Sequence, residues 1–185
     1  MIGSCARRAL ICACCVFAPV AAADSDVFDG LAPGLVGGEL TAVLEGAELG
    51  CQQDLKDAAV RRCRPLPGAL DSIGGVPVIS VEALFQNRLL AQVTVYLPES
   101  RFLDLKRVLA VRLGEATDWS VIVRSGMAGT FKDDILLWEK DDLVVIAQQF
   151  DQKIDRSSLI YGSAKAMAPL LKQIKSTPPG AIRDL

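Results

Sequence analysis

Cys51 and Cys63 close the segment CQQDLKDAAVRRC, and Arg61, Arg62 and Arg64 surround the second cysteine. Thiols in cationic surroundings ionise readily and become reactive, but the redox spacing C-x-x-C is missing here. The chain has no histidine, and two cysteines alone are too few soft ligands for a structural zinc site. A disulfide remains as the chemistry this pair predicts. Twelve steps of continuous helix would hold the two Cα atoms about 18 Å apart at ~1.5 Å per residue. A disulfide spans only about 4.4–6.8 Å. The bridged chain must therefore double back, for example as one helical turn and a return, pinning the connection between a first helix and a first hairpin. Arg61, Arg62 and Arg64 then read as a basic loop suited to an acidic partner.

Other catalytic constellations are sparse. Without histidine, Ser-His-Asp and Cys-His arrangements are impossible. Ser163-Ala164-Lys165 lacks the S-x-x-K spacing, and Val123 stands where a nucleophile elbow at Ser125 needs glycine. Asp133, Asp134, Glu139, Asp141 and Asp142 gather around one hairpin. A pair of such acids could serve glycoside hydrolysis. The plainer reading is a solvated hairpin end that discourages edge-to-edge pairing. The calcium-loop pattern is absent, and Gly30, Gly34, Gly37 and Gly38 fit no phosphate-binding motif. No cofactor and no metal are implied. Large aromatics suit recognition surfaces, which makes Tyr96, Trp119 and Trp138 candidates for partner contact.

The first 23 residues carry the marks of a cleavable signal: Arg7-Arg8, the apolar run ALICACCVFA, Pro19 and the small residues before Asp24. That run is about half the length of a spanning helix. Removal would take four of the six cysteines and two arginines, leaving 162 residues with 18 basic against 22 acidic side chains. The resulting charge of −4 argues against a nucleic-acid binder. An even pair of cysteines in an oxidising compartment fits a disulfide and a periplasmic or secreted protein with no stable membrane span.

The remaining pattern predicts one α+β domain. A Gly/Pro-rich lead-in covers 24–38, the domain runs over 39–175, and a flexible tail covers 176–185. Leu40, Val43, Leu44 and Ala47 lie on one face of a helix over Glu39–Leu49. A turn-rich linker over Pro65–Gly75 leads to alternating strands. Ile79, Val81, Ala83 and Phe85 share one face over Val76–Phe85; Leu89, Ala91, Val93, Val95 and Leu97 share one over Leu89–Leu97. A second helix, Arg101–Leu113, is expected with Ser100 as its cap and Gly114 as its stop. Strands follow over Trp119–Arg124, Asp134–Glu139, Leu143–Gln149 and Ser157–Tyr161, with Lys140-Asp141-Asp142 as a tight turn. On the second of these, Leu136 and Trp138 oppose Ile135 and Leu137, so it is buried on both sides or exposes one. A last helix, Ala164–Lys175, is capped by Ser163. The expected architecture is an antiparallel sheet with the helices packed on one face, as two tandem helix-then-strands units plus a C-terminal helix.

The segments GLAPGLVGGELTAVLEGAELGC, FQNRLLAQVTVYLP, FLDLKRVLAVRLG and DRSSLIYGSA, spread over Leu31–Ser163, resemble small exported bacterial proteins built from helix-plus-antiparallel-sheet units. The unit is similar to that of the outer-membrane assembly lipoprotein BamE and of the β-lactamase inhibitor protein. The resemblance implies action by protein binding and transfers no catalytic residue; the chain lacks the clear lipobox of the former. The expected function is a non-enzymatic periplasmic protein-binding domain, inhibitor or immunity-like in its specific form, with another envelope or secreted protein as partner. The alternatives are an envelope assembly or structural accessory factor, and third a hydrolase using Asp133–Asp142.

Overall fold

The computed structural model describes residue 44 and residues 48–65, 70–87, 89–125, 129–151 and 153–184. The signal, the lead-in and most of the first predicted helix lie outside these residues. Leu44 is helical and buried at 1% exposure. Leu49, expected to end that helix, opens a strand instead.

Strands β1 (Leu49–Gln53) and β2 (Val60–Pro65) form a hairpin. A small ribbon of β3 (Ser72–Ile73) and β4 (Val76–Pro77) precedes the long pair β5 (Ser80–Gln86) and β6 (Leu89–Pro98). A 3-10 turn, Glu99–Arg101, leads into helix α1 (Phe102–Leu113). Strands β7 (Thr117–Asp118), β8 (Val121–Ser125), β9 (Gly129–Asp133), β10 (Ile135–Lys140), β11 (Leu143–Gln148) and β12 (Arg156–Ser163) follow. Helix α2 (Ala164–Ser176) and strand β13 (Ile182–Asp184) complete the described chain.

The main sheet has eight strands in the order β1-β2-β5-β6-β12-β11-β10-β7, antiparallel at every pairing. It reads as two four-stranded meanders running toward each other and joined at their last strands. The second meander follows α1; Leu44, helical, stands before the first. Strands β13, β8 and β9 form a second sheet, with β13 parallel to β8.

Strand alternation sends Val81, Ala83, Phe85, Val93, Val95, Leu97, Val145 and Leu159 to one face, where they meet Phe102, Leu105 and Leu109 of α1. Fully burying each of these valine, leucine or phenylalanine side chains stabilises the fold by about 1.5–3 kcal/mol. Among the described residues the opposite face is covered only over the second meander. There Ile135, Leu137, Val144 and Ile146 meet Met167 and Leu171 of α2 and Val121 and Val123 of β8. The expectation that the helices pack on one face is therefore corrected: α1 and α2 lie on opposite faces. Two apolar stripes of similar width gave no sign of which sheet face each would cover. Strand β10 is buried on both sides because it lies between these two cores.

Several boundaries move for identifiable reasons. Ile79 precedes β5 and is 55% exposed, not buried. Leu84 pairs with Gln92 and Phe85 with Leu90, so Ala91 is an extra residue, a bulge. The bulge shifts parity, placing Leu90 in the core and leaving Leu89 exposed. Helix α1 has Arg101 at its N-cap without a side-chain bond, so Ser100 does not cap it. The expected stop at Gly114 holds: with φ of 83° its N–H donates to Ala110 O. The linker contains the β3–β4 ribbon, turned at Gly74 and Gly75 with φ of 55° and 81°. Asp141, at φ 54°, makes the expected tight turn. Ser163 Oγ accepts from Ala166 N–H and caps α2 as expected. The segment expected as a tail carries β13, whose three residues follow no apolar pattern.

Candidate functional site

On the face opposite α1, no helix among the described residues lies over the first meander, whereas the second is roofed by α2 and the β13-β8-β9 sheet. The step between bare and covered halves is a groove of about 570 Å³. Its floor comes from β2, β5, β6 and β12 through Arg62, Glu82, Gln92, Thr94, Tyr96 and Ile160. These are the positions that strand alternation turns away from the α1 core. Its wall comes from Phe131 of β9, Leu170 and Gln173 of α2, Arg183 of β13 and the connection after β11, with Phe150, Asp151, Lys153 and Ile154.

Floor and wall are fixed by ion pairs. Glu82, 14% exposed, accepts from Arg64 Nε at 3.2 Å and Nη2 at 2.8 Å, and from Arg62 Nη1 at 3.4 Å. One carboxylate thus holds two arginines of β2 in place. A smaller hollow of about 290 Å³ lies beside them, lined also by Gly50, Cys51 and Gln52. Arg156 lies over the Tyr96 ring, 4.2 Å from its centroid, and donates from Nη2 to Asp151 O at 3.1 Å and Asp151 Oδ2 at 3.4 Å. Burial raises the Asp151 carboxyl pKa, and Arg156 counteracts only part of that. Burial also raises the Tyr96 phenol pKa, with Glu82 and Asp151 adding to it.

Asp133 ties the wall together. It is fully buried and accepts from Gln148 Nε2 at 2.9 Å, Phe150 N–H at 3.0 Å and Arg183 Nη2 at 3.2 Å. One side chain thereby links β9, β11, the connection after it and β13. Burial pushes its carboxyl pKa up, and these three donors pull it back only in part. Phe131 and Phe150 meet edge to face at 4.9 Å between centroids. The sequence marked Asp133 as one acid of a cluster but gave no signal for this junction, since its partners lie on three other elements.

The structure brings some predicted site residues together and separates others. Arg62 and Tyr96 share the groove, and Arg64 borders it. Arg61 lies on the other face, its guanidinium 5.8 Å from the Phe85 ring centroid. Trp138 is in the α1 core, its Nε1 donating to Gly114 O at 3.0 Å. Trp119 packs against the second core. The acidic cluster disperses because adjacent residues of an extended chain point to opposite sides. Asp133 turns inward, whereas Asp134 accepts from Lys132 at 2.8 Å and Lys106 at 3.2 Å. Burial alone would raise the Asp134 pKa; the two lysines outweigh it and hold the carboxyl below its ordinary value. Glu139 pairs with Lys175 at 2.8 Å. Asp118 accepts from Ser120 through both N–H and Oγ. Among the described residues no three cysteines or acids gather as a metal site.

The predicted disulfide is present. Cys51 and Cys63 face each other across the β1–β2 ladder with Cα atoms 4.1 Å apart. The return is a strand, so the expected helical turn is replaced by a hairpin. Among the described residues no helix is long and apolar enough to cross a membrane. No family model, curated protein sequence or solved structure matches the chain.

Proposed function

We propose that this chain is an exported, non-enzymatic binding module, and that its recognition surface is the groove together with the bare sheet face. The observation that carries this reading is the half-covered sheet. A floor of paired polar side chains lies beside a wall that mixes Phe131, Phe150 and Leu170 with Lys153 and Arg183, and the buried Asp133 junction holds that wall in place before any ligand arrives. Preorganisation of this kind reduces the ordering cost of binding. The groove is within the usual size range of ligand sites, about 300–1,000 Å³, and it opens onto a flat face that a protein partner can cover. The Cys51–Cys63 disulfide suits an oxidising compartment, periplasmic or extracellular.

A photo-cross-linking residue at Gln92, on the groove floor, tests this in cells that naturally produce the chain. The control position is Lys172, exposed on α2. A discrete protein adduct from Gln92 and none from Lys172 supports the reading. Adducts of equal yield at both positions, or none at either, overturn it.

A further inference from the structure

We infer that the groove takes an extended acidic segment of the partner protein. Its carboxylates meet Arg62, Lys153 and Arg183, and its apolar side chains rest on Phe131, Phe150 and Ile160. This rests on the protein-binding reading above and names the chemistry of what binds.

Charge is the first argument. The whole chain carries 22 acidic and 20 basic side chains, yet the groove is lined by Arg62, Lys153 and Arg183 against Glu82 and Asp151. Its carboxylates are paired with arginines, and of its cations Arg62 is paired with Glu82 and Arg183 with Asp133. Glu82 is shared between Arg62 and Arg64, and Asp151 is held by Arg156. Lys153 is exposed and has no carboxylate within ion-pair distance among the described residues. A locally cationic groove on an acidic protein attracts acidic ligands.

Dimensions favour a chain over a small molecule. The floor crosses four strands, β2 to β12. Three gaps at roughly 4.8 Å make about 14 Å, the length of about four extended residues. Such a segment alternates its side chains, so acidic residues turned to Arg62, Lys153 and Arg183 leave apolar neighbours for Phe131, Phe150 and Ile160.

The test uses the purified protein and three fluorescein-labelled peptides, Glu-Phe-Glu-Ile-Glu and its Gln and Lys counterparts, read by anisotropy. An unlabelled single-stranded DNA decamer serves as competing polyanion. The acidic peptide should bind at least tenfold more tightly than the Gln peptide and weaken as salt rises, and the Lys peptide should not bind. Lys153→Glu and Arg62→Glu, both at exposed positions, should each weaken the acidic peptide about tenfold while the far-UV spectrum stays unchanged. Equal binding of acidic and neutral peptides, no binding of either, unchanged affinity in both variants, or tighter binding of the DNA overturns the inference. The Gln92 cross-link separates the two levels. An adduct to a segment without acidic residues sinks the acidic assignment and leaves the binding module standing. Absence of any adduct removes the binding module itself.

Discussion

Gly162 on β12 lies directly against Met167 of α2, and Gly162→Ala probes that seat. A Cβ there would stand 2.8 Å from Ala91 O, 2.9 Å from Met167 Cγ and 3.0 Å from Met167 Sδ. Methionine can swing aside, but the Ala91 carbonyl belongs to the β6 bulge and can move only with the strand. Overpacking of this kind costs about 1–3 kcal/mol. For a domain of this size that lowers Tm by about 3–10 °C. Urea unfolding should show a lower midpoint with an unchanged slope. Met167→Ala removes two of the three contacts, and by itself costs about 2–5 kcal/mol because Met167 is fully buried. The double variant should be less damaged than the sum of the singles, by about 0.5–3 kcal/mol of coupling, since the new Cβ then fills part of the vacated space. Additivity of the two within about 0.5 kcal/mol would refute the seating of α2 on Gly162, and with it the placement of Leu170 and Gln173 in the groove wall.

Other expectations follow from the same geometry. Reducing the Cys51–Cys63 bridge should lower stability by about 3 kcal/mol in the chain-entropy view, read as a shift in the urea midpoint. Thiol titration of the unreduced, unfolded chain starting at Asp24 should find no free thiol; two would refute the bridge. Asp133 and Asp151 have raised folded-state pKa values, so between the unfolded value of 3.8 and the folded value the native state keeps protons the unfolded chain has lost. Their contribution therefore favours folding in acid and fades as pH rises through that window. Asp118 and Asp134, held low, act oppositely, losing their contribution as pH falls below 3.8 through their folded values. Asp133→Asn should flatten the fall above 3.8 in a series of urea midpoints over about pH 3 to 7; an unchanged slope would show that this carboxyl is not buried. Glu139→Ala, which removes a half-exposed pair with Lys175, should change stability by less than about 0.5 kcal/mol.

Helix α2, with its serine cap and apolar stripe, was legible because local spacing alone specifies it. The hairpin over 80–98 was legible as two strands, but its register was not. A bulge at Ala91 leaves composition and alternation almost untouched while reversing the roles of Leu89 and Leu90. Tyr96 stood out as a large aromatic on an expected strand, whereas Arg62 was read with Arg61 and Arg64 as part of a basic loop and lies instead on strand β2, because the disulfide-bridged segment returns as a hairpin. The wall opposite them did not, because it is assembled from β9, β13 and the segment after β11, each uninformative alone and joined through Asp133. Trp119 and Trp138 drew attention as large aromatics, yet size also makes them the natural filling of two cores that only the tertiary arrangement creates.

The joint between the two meanders has a kinetic consequence. Each half of the main sheet zips from strands much closer in sequence, but β6 meets β12 only by closing the long loop from Pro98 to Arg156. Long-range pairing of this kind is the slow part of folding. The same ladder carries Tyr96 beside Ser158 and Thr94 beside Ile160, which are floor and border of the groove. A chain with both halves formed but not yet joined would have disulfide, hairpins and helices, while Thr94 on the groove floor still lacked Ile160 beside it. The groove would then be completed last, in the step that zips the two halves together.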